Sequence, residues 1–159
     1  MAQPPAPIPP SHANVRLPPP LAYILPFLLA WLLQAFIPLP GLPIGIARVL
    51  TIALCIAGGT FCVWSIGLFR HSKTSLIPVK PTTTLVTSGP YRVTRNPMYL
   101  GLLCLYLAAA CWFNIVWALV LAPIVVVVIQ RIIEKEEQYL GQKFGEVYRH
   151  YQAQVRRWI

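Results

Sequence analysis

Residues 115–133 read IVWALVLAPIVVVVIQRII, and residues 134–137 follow at once as EKEE. The first segment carries a single charge, Arg131, near its end. At ~1.5 Å per residue it reaches about 28 Å, close to the ~30 Å hydrocarbon core of a bilayer. The second segment is charged at every position. An apolar run of this length that stops on a charge cluster reads as a membrane-crossing helix whose end meets water at Glu134. Pro123 is expected to kink it.

Three more apolar runs precede it, at about 21–39, 46–69 and 97–113. The third and fourth are separated only by Asn114, so they should form a tight hairpin. Pro38, Pro40 and Pro43, with Gly41 and Gly45, mark the turn after the first run. The second run holds Cys55, Gly58, Gly59 and Cys62, small residues at the spacing that lets helices approach closely. The fold expected is an all-α membrane protein with about four transmembrane helices and an amphipathic C-terminal helical tail over 134–159. The 159 residues have room for one domain, 21–159, behind a Pro-rich segment.

That segment, residues 1–20, contains eight prolines and is expected to be a disordered or polyproline-II tail. It lacks the basic start and short apolar core of a cleaved signal peptide, so the first span is expected to be retained.

Composition agrees with a membrane protein. Hydrophobic residues make up 57% and charged residues 11%, against about 25% charged in a soluble domain. The net charge of +9 does not point to nucleic acid, because the basic residues flank the apolar runs instead of forming one soluble basic face. All but Arg48 of the 13 basic residues fall on one side of a four-span topology. The positive-inside rule then puts both termini in the cytoplasm. Cys55, Cys62, Cys104 and Cys111 all lie in apolar runs with no C-x-x-C and no Cys/His cluster, so they read as packing residues, and no metal is expected.

Acid chemistry has one address, since the chain has no Asp and its four carboxylates are Glu134, Glu136, Glu137 and Glu146. Glu137 shares a helical face with Ile133, Leu140 and Phe144 and should point into the protein, with Glu136 rotated ~100° away. The bland reading of Glu137 is a pair with Arg131, Lys135 or Arg95. Farther along, Leu140, Phe144, Val147, Tyr151 and Val155 fall on one face, and a break near Gly145 is expected.

The 70–96 connection carries Arg70, Lys73, Lys80, Arg92 and Arg95, and is long for a structureless loop. It ends in SGPYRVTRNPMYLG, residues 88–101. Asn96 suits a helix N-cap and Pro97 the first helical position. The third span therefore starts here, with free N–H groups, a positive dipole end and Arg95 beside them. Those features could take an anion. Tyr99 could offer a hydroxyl one turn up, and Gly101 could admit a ligand or another backbone. Arg and Tyr at a span end are equally ordinary interfacial anchors. The same applies to the basic, aromatic stretch Tyr148-Arg149-His150-Tyr151 and to Arg156-Arg157-Trp158, which suit a lipid surface.

Three stretches in fixed order, S-G-P-Y-x-x-x-R-N-P-x-Y-x-G at 88–101, E-E-x-x-L at 136–140 and F-G-x-x-Y-x-x-Y at 144–151 with Val155-Arg156-Arg157 behind, resemble the isoprenylcysteine carboxyl methyltransferase / phospholipid methyltransferase group of membrane enzymes. The resemblance runs over 46–159. It implies S-adenosylmethionine as cofactor and a membrane lipid, or a lipidated small-molecule or protein acceptor, as partner. It implies a cofactor site of Tyr91, Arg95, Asn96, Pro97, Tyr99, Gly101, Glu136 and Glu137. Arg95, Glu137, Tyr151 and Arg156 would stand nearest the chemistry, with Tyr148 and either Arg156 or Arg157 at the substrate. The resemblance departs at Asn96, where the eukaryotic prenylcysteine enzymes carry His. An NADPH-dependent sterol-type reductase and a non-catalytic membrane protein are the competing readings.

Overall fold

The computed structural model describes residues 18–71 and 84–159. The Pro-rich expectation for residues 1–17, and the part of the basic connection with Lys73 and Lys80, lie outside the described residues. Five α-helices account for the fold: α1 Leu21–Phe36, α2 Ile44–His71, α3 Pro97–Trp112, α4 Val116–Phe144 and α5 Glu146–Gln154. A single 3-10 turn, Gly89–Arg92, precedes α3, and no strand occurs among the described residues.

Each helix boundary has a local cause. Pro18, Pro19 and Pro20 lend their carbonyls to the N–H groups of Leu21, Ala22 and Tyr23 and so start α1. The helix stops at Phe36, ahead of Pro38 and Pro40, three residues short of the expected end. Pro97 occupies the first position of α3 as expected, but the Asn96 side chain makes no cap bond. It is spent elsewhere, on the tail. Asn114 sits at φ 54, a left-handed conformation that Asn tolerates, and turns the chain between α3 and α4. Its side chain also exchanges two hydrogen bonds with Leu42, at 2.8 and 3.1 Å, tying the α1–α2 turn to the α3–α4 turn.

Among the described residues, only α2 and α4 are both long and apolar enough to cross a membrane by themselves; α1 and α3 have 16 residues each. α4 does not end where its apolar part does. It runs on through Glu134–Glu137 to Phe144, and Pro123 leaves it unbroken. Gly145, at φ 55, then separates α5. That break resets the helical phase, so Val147 faces out at 67% exposure whereas Tyr148 and Tyr151 are buried. The expected single face from Leu140 to Val155 therefore fails at Val147.

α2 packs along α3, and α1 packs against α4, with α3 and α4 adjacent. At the α2–α3 seam, a methyl on Gly58 would stand 2.7 Å from the Gly101 carbonyl, and one on Gly101 would stand 2.7 Å from Cys62 Sγ. Gly101 thus admits a neighbouring backbone, not a ligand. Gly59, by contrast, has open space around it. Close backbone approach of this kind substitutes for the hydrophobic drive that helices lack in lipid. The outer surface is apolar: Leu28, Leu32 and Phe36 on α1, Val49, Ile52, Ile56 and Val63 on α2, and Ile124 and Val127 on α4 are all exposed. A water-soluble chain would not leave so much apolar area uncovered. This is a membrane protein.

Gly101→Ala should lower stability by about 1–3 kcal/mol, because the seam must open to seat the methyl. Gly59→Ala should be neutral or slightly stabilising. Thermal denaturation of both variants in detergent checks the contrast.

Candidate active site

The polar end of the bundle is organised around one carboxylate. Glu137, 7% exposed on α4, receives Arg95 on one oxygen and Arg157 on the other. Arg95 Nε and Nη2 lie 3.1 and 3.0 Å from Oε1. Arg157 Nε and Nη2 lie 3.1 and 2.6 Å from Oε2. The remaining Arg95 nitrogen, Nη1, donates to the carbonyls of Gln152 and Val155 at 3.0 and 3.2 Å. The backbone joins in: Arg95 N–H donates to the Arg156 carbonyl at 2.9 Å. Thr94 Oγ1 and Asn96 Nδ2 both donate to the Arg157 carbonyl, at 3.0 and 3.1 Å. Trp158 Nε1 closes the far end on Gln130, at 2.9 Å.

The turn 94–96 and α4 therefore grip the C-terminal segment from two sides. Charge-assisted bonds of this type contribute about 1.5–3 kcal/mol each where water is excluded. Arg95 spends its donors on the protein itself, so the anion site expected beside it is filled by Glu137 and by carbonyls.

Glu136 does not point away as the helical phase alone implied. A helix flanked by neighbours on two sides can turn two successive residues inward. Glu137 meets the tail, and Glu136 meets α3, where the Tyr99 hydroxyl donates to its Oε1 at 2.5 Å. Tyr23 on α1 in turn donates to the Tyr99 carbonyl at 2.8 Å. Burial is the main influence on Glu136 and pushes its carboxyl up to about 7; the Tyr99 bond opposes this and the charge of Glu137 adds to it.

Between these groups lies a cavity of about 460 Å³, within the ~300–1,000 Å³ of small-molecule sites. Tyr91, Arg95, Asn96, Tyr99, Glu136, Glu137, Tyr148 and Tyr151 line it. So do Leu140 of the E-E-x-x-L stretch and Pro18–Pro20, Phe69, Thr84–Val86, Met98, Leu102 and Tyr139, which the motifs did not single out. Pro97 is fully buried and Gly101 lies in the α2–α3 seam, so neither lines the cavity. Arg156 is exposed and contributes only its carbonyl, while Arg157 faces Glu137. Burial raises the Tyr91 and Tyr148 phenols above their ordinary range and pushes Tyr151 up to about 12. All three stay neutral near pH 7. The Tyr151 hydroxyl donates to the Tyr91 carbonyl at 2.7 Å, fixing α5 over the 3-10 turn.

Gly89 permits that turn. It adopts φ 59, and a methyl there would stand 2.7 Å from Leu68 and 2.9 Å from Trp64 Nε1. Tyr91 is thereby held buried against Phe69, with ring centroids 5.7 Å apart.

Two carboxylates, a ring of neutral tyrosines and an adjoining apolar wall thus share one cavity of small-molecule size at the polar end of the bundle. The family model described as phospholipid methyltransferase matches residues 46–147, more than half of the chain. The chain belongs to this family, and is a membrane methyltransferase by that membership. An uncharacterized protein of Haemophilus influenzae is 42% identical over 64 residues, which is all of that protein and 39% of this chain. No solved structure matches.

Arg157→Ala should cost about 1–3 kcal/mol and free the C-terminal segment, because it strips one oxygen of a buried carboxylate of its partner. Arg156→Ala should stay within about 0.5 kcal/mol of the parent. Thermal denaturation with limited proteolysis of the C-terminus distinguishes the two; equal behaviour would contradict the grip described here.

Proposed function

We propose that the protein transfers a methyl group from S-adenosylmethionine to a lipidic acceptor at the cytoplasmic membrane face. The observation that carries this reading is the polar half of the cavity, with Glu136 bonded to Tyr99 and the tyrosines 91, 148 and 151 around it. The residues suit the donor. A carboxylate with one of its acceptor sites used by Tyr99 keeps capacity for an ammonium or for ribose hydroxyls. Neutral aromatic rings favour a sulfonium and a purine face. The side-chain carbonyl of Asn96 adds an acceptor, since its amide nitrogen is engaged by Arg157. When bound, the donor supplies an electrophilic methyl, and displacement at that carbon depends on alignment more than on acid catalysis.

In this reading Glu136 and Tyr99 hold the donor, and Glu136 is also the group able to take a proton from the acceptor. Arg95, Glu137 and Arg157 act through the tail: they keep α5 and residues 155–158 closed over the donor and exclude water. Among the described residues Arg95 is the cation that lines the cavity, and its donors are committed. Among the described residues a nicotinamide 2′-phosphate would therefore find no uncommitted cation in the cavity lining.

The membrane arrangement belongs to the same proposal. α1 and α3 reach about 24 Å each at ~1.5 Å per residue, and α1 exposes Ile24, Leu25, Leu28 and Leu32 to its surroundings. Four crossings follow, with the cavity, the basic connection and both termini on the cytoplasmic side.

S-adenosylhomocysteine should bind the detergent-solubilised protein with a micromolar-range Kd by calorimetry. Glu136→Gln, or Tyr99→Phe, should weaken it about tenfold. An ammonium or ribose hydroxyls held by Glu136 favour its ionised form, so affinity should rise as pH increases through about 7. That rise should vanish in Glu136→Gln. A folded protein that binds no S-adenosylhomocysteine would remove the proposed activity.

A further inference from the structure

The cavity has two kinds of wall. The tyrosines and carboxylates form one. The other comes partly from the proline turn that precedes α1, which lies outside the residues matched to the family. Pro18, Pro19 and Pro20 line the cavity there, together with Leu102 and Tyr139. Ala22 and Tyr23, which follow the prolines, belong to the packing cluster that also holds Tyr99, Leu102 and Tyr139.

This wall has little to offer a polar ligand. Proline has no backbone N–H. The three carbonyls of the turn are already taken by the N–H groups of Leu21, Ala22, Tyr23 and Ile24, at 2.9 to 3.1 Å. Its position is also fixed. Tyr23, 6% exposed, donates its hydroxyl to the Tyr99 carbonyl at 2.8 Å, so the proline turn is tied to the residue that bonds Glu136. A rigid turn without free backbone donors matches hydrocarbon, and it lines the same cavity as the carboxylates.

We propose that the turn Pro18–Pro20, with Leu102 and Tyr139, is the chain-binding wall of the site: it receives the hydrocarbon chain of the methyl acceptor and sets which chains fit. The inference rests on the methyl-transfer reading for the identity of the ligand as acceptor. The occupant is a single alkyl or isoprenoid chain. A lipid surface wrapping the outside of α1 is the competing outcome.

The test uses octadecanol carrying a diazirine near the chain end, added in trace amounts to the full-length protein in detergent, photolysed and mapped by peptide mass spectrometry. Labelling is expected on the peptides holding Pro18–Tyr23 and Leu102. Pro19→Trp fills the cavity from the α1 side and Leu102→Trp from α3. Each should cut labelling of the peptide that holds the other residue more than ~10-fold, since a bulky ring displaces two or more methylenes. Labelling of the outward α2 residues Ile52–Val63 should not change. Labelling confined to outward faces, or unchanged in both tryptophan variants, overturns the proposal. S-adenosylhomocysteine binding is measured on the same samples. Its absence in the parent protein would count against the donor reading separately from the chain wall.

Discussion

Glu137 is the constraint on which the polar end of this protein depends. A carboxylate buried at the end of a membrane helix is costly unless both oxygens are bonded, and here each has its own guanidinium. Arg95 comes from the turn before α3 and Arg157 from the last residues of the chain. Three segments far apart in sequence are thereby fixed at one point. The cost of burying the charge becomes a means of specifying one arrangement of loop, helix and tail. Everything the cavity offers follows from that closure, because α5 and the residues behind it are held in place over the tyrosines.

The second consequence concerns the division of labour between adjacent glutamates. Glu137 is spent on the fold and Glu136 on the cavity. Their neighbours decide this: a pair of arginines satisfies one, and a single phenol leaves the other with capacity and a carboxyl raised toward neutrality. Two residues with the same side chain on the same turn thus differ in their surroundings: one is held between two arginines, the other is bonded to a single phenol at the cavity. Arg95 shows the converse. Its place in the motif suggested a ligand contact, and its geometry makes it the fastener of the tail.

The helical architecture was legible in the sequence because lipid leaves few options for backbone polar groups. The apolar runs, the Asn114 turn, Pro97 at the start of α3 and the break at Gly145 could all be read from residue type. The cluster of Arg95, Asn96, Tyr99, Glu136 and Glu137, which the fold brings to one cavity, came from the family resemblance and not from residue type. The failures share a cause, which is that they depended on partners distant in the chain. A helical wheel turned Glu136 away, because it could not register that Tyr99 would stand there. It placed Val147 with Leu140, because it assumed an unbroken phase across Gly145. Arg156 and Arg157 are indistinguishable by composition, and only the extended backbone after α5 decides which faces Glu137. The proline turn before α1 had no motif at all, since its three prolines read as part of the Pro-rich tail over 1–20.

The account's central claim is that the cavity between Glu136 and the tyrosines holds the methyl donor. A structure of the protein with S-adenosylhomocysteine tests it most directly. The account predicts the ligand's ammonium or ribose hydroxyls on Glu136, its aromatic base among Tyr91, Tyr148 and Tyr151, and Glu137 still held between Arg95 and Arg157. A ligand bound outside this cavity, or one that displaces Arg157 to pair with Glu137 itself, would contradict it.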